Sequence, residues 1–160
     1  MVIDHPNFDE LCSPTSTSMF LSYLLNREIN PKEFALGSYD QKLGRFGSWP
    51  FNIAHAFEVS GGKYYFHTER LKSFKHLHDY LCNSIPVVVS IRGPINGGAR
   101  PYKNGHIILV IGYNNQNKKQ IFFIHKFTSL YILDMLHHTL LYLLSFLIFF
   151  HLLRFFYLFP

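Results

Sequence analysis

The sequence predicts an α+β domain with helices in its first half, an antiparallel sheet in its second half and an apolar tail. Apolar side chains recur at helical spacing after Ser13 and again after Trp49. Short runs rich in β-branched and aromatic residues, typical of strands, occupy residues 87–92, 107–113 and 120–125. The 160 residues suffice for one core. One domain over residues 1–125 is therefore expected, followed by a hydrophobic tail over residues 126–160.

The first helix is predicted to begin directly after Cys12. Ser13 is a good N-cap, Pro14 suits the first helical position, and the apolar period then continues to about Asn26. Further helical segments are predicted over residues 31–36 and 49–60, and over a third segment that Thr68 or Ser73 caps and that ends near Asn83. A short aromatic strand over residues 63–67 precedes the last of these helices.

Cys12 is the candidate nucleophile because a helix follows it at once. Helix-start amides and the positive end of the helix dipole would lower the pKa of the thiol and could stabilise an oxyanion. The alternative is an inert buried cysteine, as most free cysteines are. His106 opens a strand and could accept the thiol proton across a cleft. The alternative for His106 is a surface histidine, one of ten in the chain.

Four blocks of sequence occur in a characteristic order between about residues 8 and 125. They are Cys12-Ser13-Pro14-Thr15-Ser16-Thr17-Ser18-Met19, Trp49-Pro50-Phe51-Asn52 with Ala54 and Ala56, Pro86-Val87-Val88-Val89-Ser90-Ile91-Arg92, and Gly105-His106. Together they resemble the bacterial C-39-like peptidase family, the bacteriocin-processing-peptidase-like branch of the papain-like cysteine peptidases. The resemblance implies a papain-like α+β fold, with Cys12 as nucleophile and His106 as base.

Four other residues are candidates for supporting roles at this site. We expect Ser13 to support the helix start and the oxyanion, and Trp49, Asn52 and Gly105 to line the substrate cleft. For Trp49, packing in the core is an equal alternative, because large aromatic side chains are commonly buried.

The sequence departs from the family pattern at two positions. Such peptidases usually carry an oxyanion-hole glutamine shortly before the cysteine, and residues 4–11 contain none, so we expect a domain truncated at its start. The family also tends to place an Asp-Pro pair after the strand that follows the histidine, whereas Lys126-Phe127 stands here. Asp134 is the only acidic residue after His106, and its context is unsuitable. The third member of the triad is therefore not identified.

The tail differs from the rest of the chain in composition. Beyond Lys126 only Asp134 and Arg154 are charged, and residues 139–150 are almost wholly apolar. A bilayer-spanning helix needs about 20 such residues, so one interpretation is a membrane helix within residues 128–159. The other, held about equally, is an out-of-register segment that replaces the end of the domain. A core helix or an interfacial helix is disfavoured, because the segment lacks a polar face.

Composition and spacing argue against several other functions. The net charge is +5, but the 15 lysines and arginines are scattered, which disfavours nucleic-acid binding. We expect Cys12 and Cys82 to be thiols, since nothing suggests a disulfide scaffold. His76 and His78 point to different faces of a helix, so no metal and no cofactor are expected. No signal peptide is visible, which suggests a bacterial cytoplasmic or membrane-associated protein.

The expected function is therefore cleavage of peptide bonds by a cysteine peptidase or amide hydrolase, acting on a peptide or protein. The alternative from another class is a catalytically impaired module that binds peptides in the same cleft, with or without a membrane tether. A third and weaker alternative is a small membrane protein whose soluble part presents an interaction surface.

Overall fold

The computed structural model describes residues 10–92, 106–116, 119–126, 129–135 and 146–151. The helices in these ranges are α1 (Cys12–Leu25), α2 (Pro31–Gly37), α3 (Trp49–Val59) and α4 (Phe74–Cys82). The strands are β1 (Tyr65–Arg70), β2 (Val87–Ile91), β3 (His106–Gln116), β4 (Lys119–Lys126), β5 (Ser129–Met135) and β6 (Phe146–His151). The described residues therefore form helices together with a sheet, and the predicted α+β class is confirmed.

The six strands form one sheet in the order β1-β6-β2-β3-β4-β5. Every neighbouring pair in it is antiparallel. The register between β2 and β3 runs from Val87 opposite Val110 to Ile91 opposite His106. His106 therefore lies at the start of β3, beside the end of β2.

Helices pack on both faces of the sheet, because β2 and β3 are apolar on both sides. Alternate residues of a strand point to opposite faces. Val88 and Leu109 join α1, α2 and α3 in the first core cluster, which comprises Phe20, Leu21, Ile29, Phe34, Ala56, Tyr64, Phe66, Val88 and Leu109. The second cluster lies against α4 and comprises Leu77, Val87, Val89, Ile91, Ile108 and Val110. The sheet is thus held between α1 and α4.

Local capping chemistry explains the starts of α2 and α4 but not the start of α1. Asn30 caps α2, accepting hydrogen bonds from the two amides of Lys32 and Glu33, and Ser73, not Thr68, caps α4. The prediction that Ser13 is the N-cap of α1 is wrong. Helix α1 begins at Cys12, and Leu11 occupies the cap position without a side-chain hydrogen bond, because leucine has no polar side-chain atom. The hydroxyl of Ser13 accepts from Asn52 instead.

The described part of the tail forms strands, so the prediction of a helical tail is wrong for these residues. Strand β6 lies between β1 and β2, pairing Tyr65 with His151 on one side and Val88 with Ile148 on the other. Phenylalanine and isoleucine favour a strand wherever a neighbouring strand offers backbone partners, and an apolar run carries no period that separates helix from strand. Residues 136–145 and 152–160, which hold most of the expected span, lie outside the described residues.

One interpretation of the apolar tail is a membrane-spanning helix within residues 128–159. Among the residues that the structure describes, no helix has both the length and the apolar composition to cross a bilayer.

Candidate active site

Cys12 is the first residue of α1 and is half-buried against β3. Its thiol forms hydrogen bonds with the backbone of Ile107, of Ser13 and of Cys12 itself. Each of these bonds favours the thiolate, since a backbone amide donates to the negatively charged sulfur. The helix start therefore surrounds the sulfur with donors, as the sequence suggests.

His106 directly precedes the residue that contacts the thiol. It is half-buried and opens β3, opposite Ile91. A second contact joins the same two elements, because the Ser16 hydroxyl donates to the carbonyl of Ile107 across 3.2 Å. The structure thus places the two candidate catalytic residues next to the same backbone segment, because His106 is the immediate neighbour of Ile107.

The backbone of Ile107 is directed towards α1 because of the sheet register. On β3, the described pairing with β4 begins at Leu109, opposite His125. Ile107 lies opposite Ser90 of β2. The backbone amide and carbonyl of Ile107 contact Cys12 and Ser16 of α1. Cys12 and Ser16 are four residues apart and therefore share one face of the helix.

Burial raises the pKa of the Cys12 thiol above its ordinary value of 9.0, and the nearby charge of Glu10 raises it further. The amides of the helix start lower this pKa, as expected, but they do not determine its net direction. Desolvation penalises the charged thiolate more than the three backbone hydrogen bonds stabilise it. At neutral pH the nucleophile therefore rests as a thiol.

Ser13 and Asn52 form a buried pair directly behind the thiol. The side-chain amide of Asn52 donates to the Ser13 hydroxyl across 2.7 Å, and both residues have 0% exposure. Asn52 thus faces Ser13 rather than an open cleft. Trp49 is 43% exposed at the start of α3, and Gly105 lies outside the described residues.

The chain before Cys12 is held by the loop that precedes α3. The carboxylate of Glu10 accepts a hydrogen bond from the amide of Phe46 across 3.0 Å. Gly47 follows with φ of +80°, and a Cβ at this position would lie 3.0 Å from the carbonyl oxygen of Glu10. This loop therefore lies against the residues that lead to Cys12.

Sequence reasoning missed four of the residues that complete this arrangement: Glu10, Ser16, Phe46 and Ile107. Ser16 carries a signal that could have been used, since a small polar residue four positions after Cys12 falls on the same helix face. Glu10 and Phe46 are separated by 36 residues and carry no such signal.

The other cysteine lies on the opposite side of the sheet. Cys82 is exposed at the end of α4, and its sulfur lies 3.6 Å from the Tyr113 hydroxyl, whose ring stacks on His78. Both Cys12 and Cys82 are free thiols. Within the described ranges, no group of three or more metal-binding side chains converges.

Three further side-chain positions, His76, His78 and Asp134, lie apart from the candidate site. His76 bonds to Tyr80 and Glu69 while His78 stacks on Tyr113, so the two histidines have different surroundings. Asp134 pairs with Ile121, which pairs with Asn114 of β3. Asn114 is eight residues from His106, about 26 Å along a strand at ~3.3 Å per residue, so Asp134 is too distant to orient the imidazole.

Comparison with known proteins agrees with this geometry. The model of the Peptidase_C39 like family matches residues 3–127, a range that contains Cys12, Asn52 and His106. No curated protein matches the chain significantly. The match covers most of the sequence and confirms the resemblance of the four blocks. The chain therefore belongs to the Peptidase_C39 like family.

Proposed function

We propose that this protein is a cysteine peptidase in which Cys12 attacks the peptide carbonyl and His106 transfers the proton. Membership of the family suggests a peptidase that acts on peptides or proteins. The observation that best supports these residue roles is the 3.2 Å hydrogen bond from the Ser16 hydroxyl to the carbonyl of Ile107. This bond holds α1, which begins at Cys12, against the start of the strand that carries His106.

The reaction begins from a protonated thiol, because burial raises the pKa of Cys12. His106 takes the thiol proton as the sulfur bonds to the carbonyl carbon, rather than storing a preformed ion pair. The tetrahedral intermediate then collapses, the C–N bond breaks, and His106 gives the proton to the leaving amine. Water attacks the thioester with His106 as base, which releases the acid and restores the thiol.

The oxyanion is stabilised by backbone amides at the start of α1. The amide of Ser13 lies against the sulfur, and the first turn of a helix adds a partial positive charge.

The test is hydrolysis of a mixture of peptides of defined sequence, with new termini identified by mass spectrometry. Cys12→Ala should abolish the cleavage, and His106→Ala should reduce it by about 10²-fold or more. Cys82→Ala is the matched control, because it removes the exposed thiol on the other side of the sheet and should leave cleavage unchanged. Cleavage that persists in Cys12→Ala would rule out the proposed nucleophile.

The raised pKa of Cys12 favours a second candidate function. In this alternative the domain binds extended peptides at the same site and does not cleave them. Such a module would bind members of the peptide mixture by isothermal titration calorimetry, whereas neither the wild-type protein nor Cys12→Ala would generate new termini.

A further inference from the structure

We propose that Asn52 is a positioning residue for the Cys12 nucleophile, holding the first turn of α1 through the Ser13 hydroxyl. This inference rests on the proposed function, which makes Cys12 the reacting group. It assigns to Asn52 a role that differs from the cleft-lining role expected from the sequence.

The first observation is the buried hydrogen bond between two elements that are distant in sequence. Asn52 in the first turn of α3 donates to Ser13 in the first turn of α1, across 39 residues of chain. Ser13 directly follows Cys12, and its backbone is hydrogen-bonded to the thiol. A shift of Ser13 therefore changes the position of an amide that acts on the sulfur.

The second observation is that the bond leaves the rest of the carboxamide unsatisfied. The Oδ1 atom of Asn52 is buried and has no hydrogen-bond partner among the described residues. Desolvation of such an atom costs about as much as one neutral hydrogen bond contributes, or more. A leucine of similar shape would avoid this cost, so stability does not explain an asparagine here.

The remaining contacts of this turn act on other atoms. The Ser13 carbonyl accepts from the Thr17 hydroxyl at 2.9 Å, a bond that belongs to the helix itself. The amide of Phe46 holds Glu10, on the far side of Cys12. Asn52 supplies the link between α3 and the Ser13 side chain, and this link orients the turn relative to the rest of the domain.

The test is the pH dependence of iodoacetamide alkylation, measured separately at Cys12 and Cys82 by mass spectrometry. In Asn52→Leu the Ser13 amide is no longer held against the sulfur, so the midpoint for Cys12 should rise by about one pH unit. The midpoint for Cys82 in the same molecules should stay unchanged, since Cys82 lies on the other face of the sheet.

Ser13→Ala and Ser18→Ala are the matched pair of controls. Both serines lie in α1 with 0% exposure, but the Ser18 hydroxyl donates to the Thr15 carbonyl of its own helix, at 2.8 Å. Ser13→Ala should raise the Cys12 midpoint as much as Asn52→Leu does, and Ser18→Ala should not. The Asn52→Leu, Ser13→Ala double variant should show no further rise, because both substitutions remove the same bond.

The inference is overturned if the Cys12 midpoint is unchanged in folded Asn52→Leu and Ser13→Ala proteins, whatever happens to their melting temperatures. If Asn52→Leu does not fold, Ser13→Ala alone decides the question. Failure of the proposed function has a different signature. A wild-type protein that cleaves no peptide contradicts the peptidase, whereas the alkylation midpoints still show whether Asn52 positions Cys12.

Discussion

At the scale of single residues, the reactivity of Cys12 is decided by competition between burial and backbone hydrogen bonds. The hydrogen bonds with Ile107, Ser13 and Cys12 itself stabilise a thiolate, but desolvation raises the pKa of the thiol by more. In the proposed mechanism the site therefore gains charge during the reaction rather than before it. That mechanism then needs a base in the attack step, which is the role proposed for His106.

The raised pKa of Cys12 predicts how stability depends on pH. The folded protein retains the thiol proton at pH values where the unfolded chain, with a pKa near 9.0, has lost it. The folded state then binds more protons, so its stability is full below pH 9 and falls as the pH rises towards the folded pKa. Melting temperatures between pH 7 and 10 should fall more steeply in the wild type than in Cys12→Ala.

Tyr80 titrates in a separate range and serves as a reference for this measurement. Burial and the neighbouring Glu69 raise the pKa of Tyr80 to about 12, so its effect is expected at higher pH. Parallel profiles for the wild type and Cys12→Ala would show that the Cys12 pKa is not raised.

The places of Cys12 at a helix start and of His106 at a strand start could be predicted at this scale, whereas the contacts around them could not. A cysteine before a helix and a histidine before a strand are local patterns, and each can be read within about ten residues. The bond of Asn52 to Ser13 joins positions 39 apart. Its existence depends on how α1 and α3 pack, and that packing has no local signature.

At the scale of elements, the start of α1 shows why a capping rule failed. Ser13 has the correct residue type but lies two residues after the cap position at Leu11, and its hydroxyl accepts from Asn52 instead of the helix amides. A tertiary hydrogen bond competed with the local one and replaced it. Ser73 has no such partner among the described contacts and caps α4 as predicted, accepting from the amide of His76.

The loop before α3 depends on a glycine at position 47. Its φ of +80° is costly for other residues, and a Cβ would meet the Glu10 carbonyl oxygen at 3.0 Å. We predict that Gly47→Ala lowers the free energy of unfolding by about 2–3 kcal/mol, since strain and a close backbone contact add. Urea denaturation measures the change.

Gly61→Ala is the matched control for this substitution. Gly61 has a similar φ of +67°, but a Cβ there would meet nothing within 4 Å. Backbone strain is then the only cost of the substitution, so Gly61→Ala should lower the free energy of unfolding by about 1 kcal/mol. Equal losses at the two positions would mean that Gly47 does not hold the loop against the segment before Cys12.

At the scale of the whole molecule, the sheet combines strands from inside and outside the family match. The match ends at residue 127, and β5 and β6 follow it. The α+β class could be predicted because the helical and strand periods of the first 125 residues are strong. The strands of the tail could not be predicted, because a run that is apolar at nearly every position fits a helix and a buried strand equally.

The position of β6 predicts protection of β1 from hydrogen exchange. Strand β1 is an edge strand of the sheet and pairs with β6 from Tyr65 to Arg70. Amides of β1 that bond to β6 should exchange more slowly than those of the exposed turn at Gly61 and Gly62, because each exchange event requires the strand to open. If the amides of β1 exchanged as fast as those of the turn, β6 would not be paired with β1.

The measurement that tests the central claim most directly is covalent trapping of Cys12 by a set of peptidyl vinyl sulfones that differ in side chain. The thiol adds to the vinyl group while His106 accepts and returns the proton, so trapping requires both residues and no leaving group. The account predicts a single adduct on Cys12, none on Cys82, and trapping slower by about 10²-fold in His106→Ala. Equal labelling of the two cysteines, or a Cys12 rate that His106→Ala leaves unchanged, would contradict it.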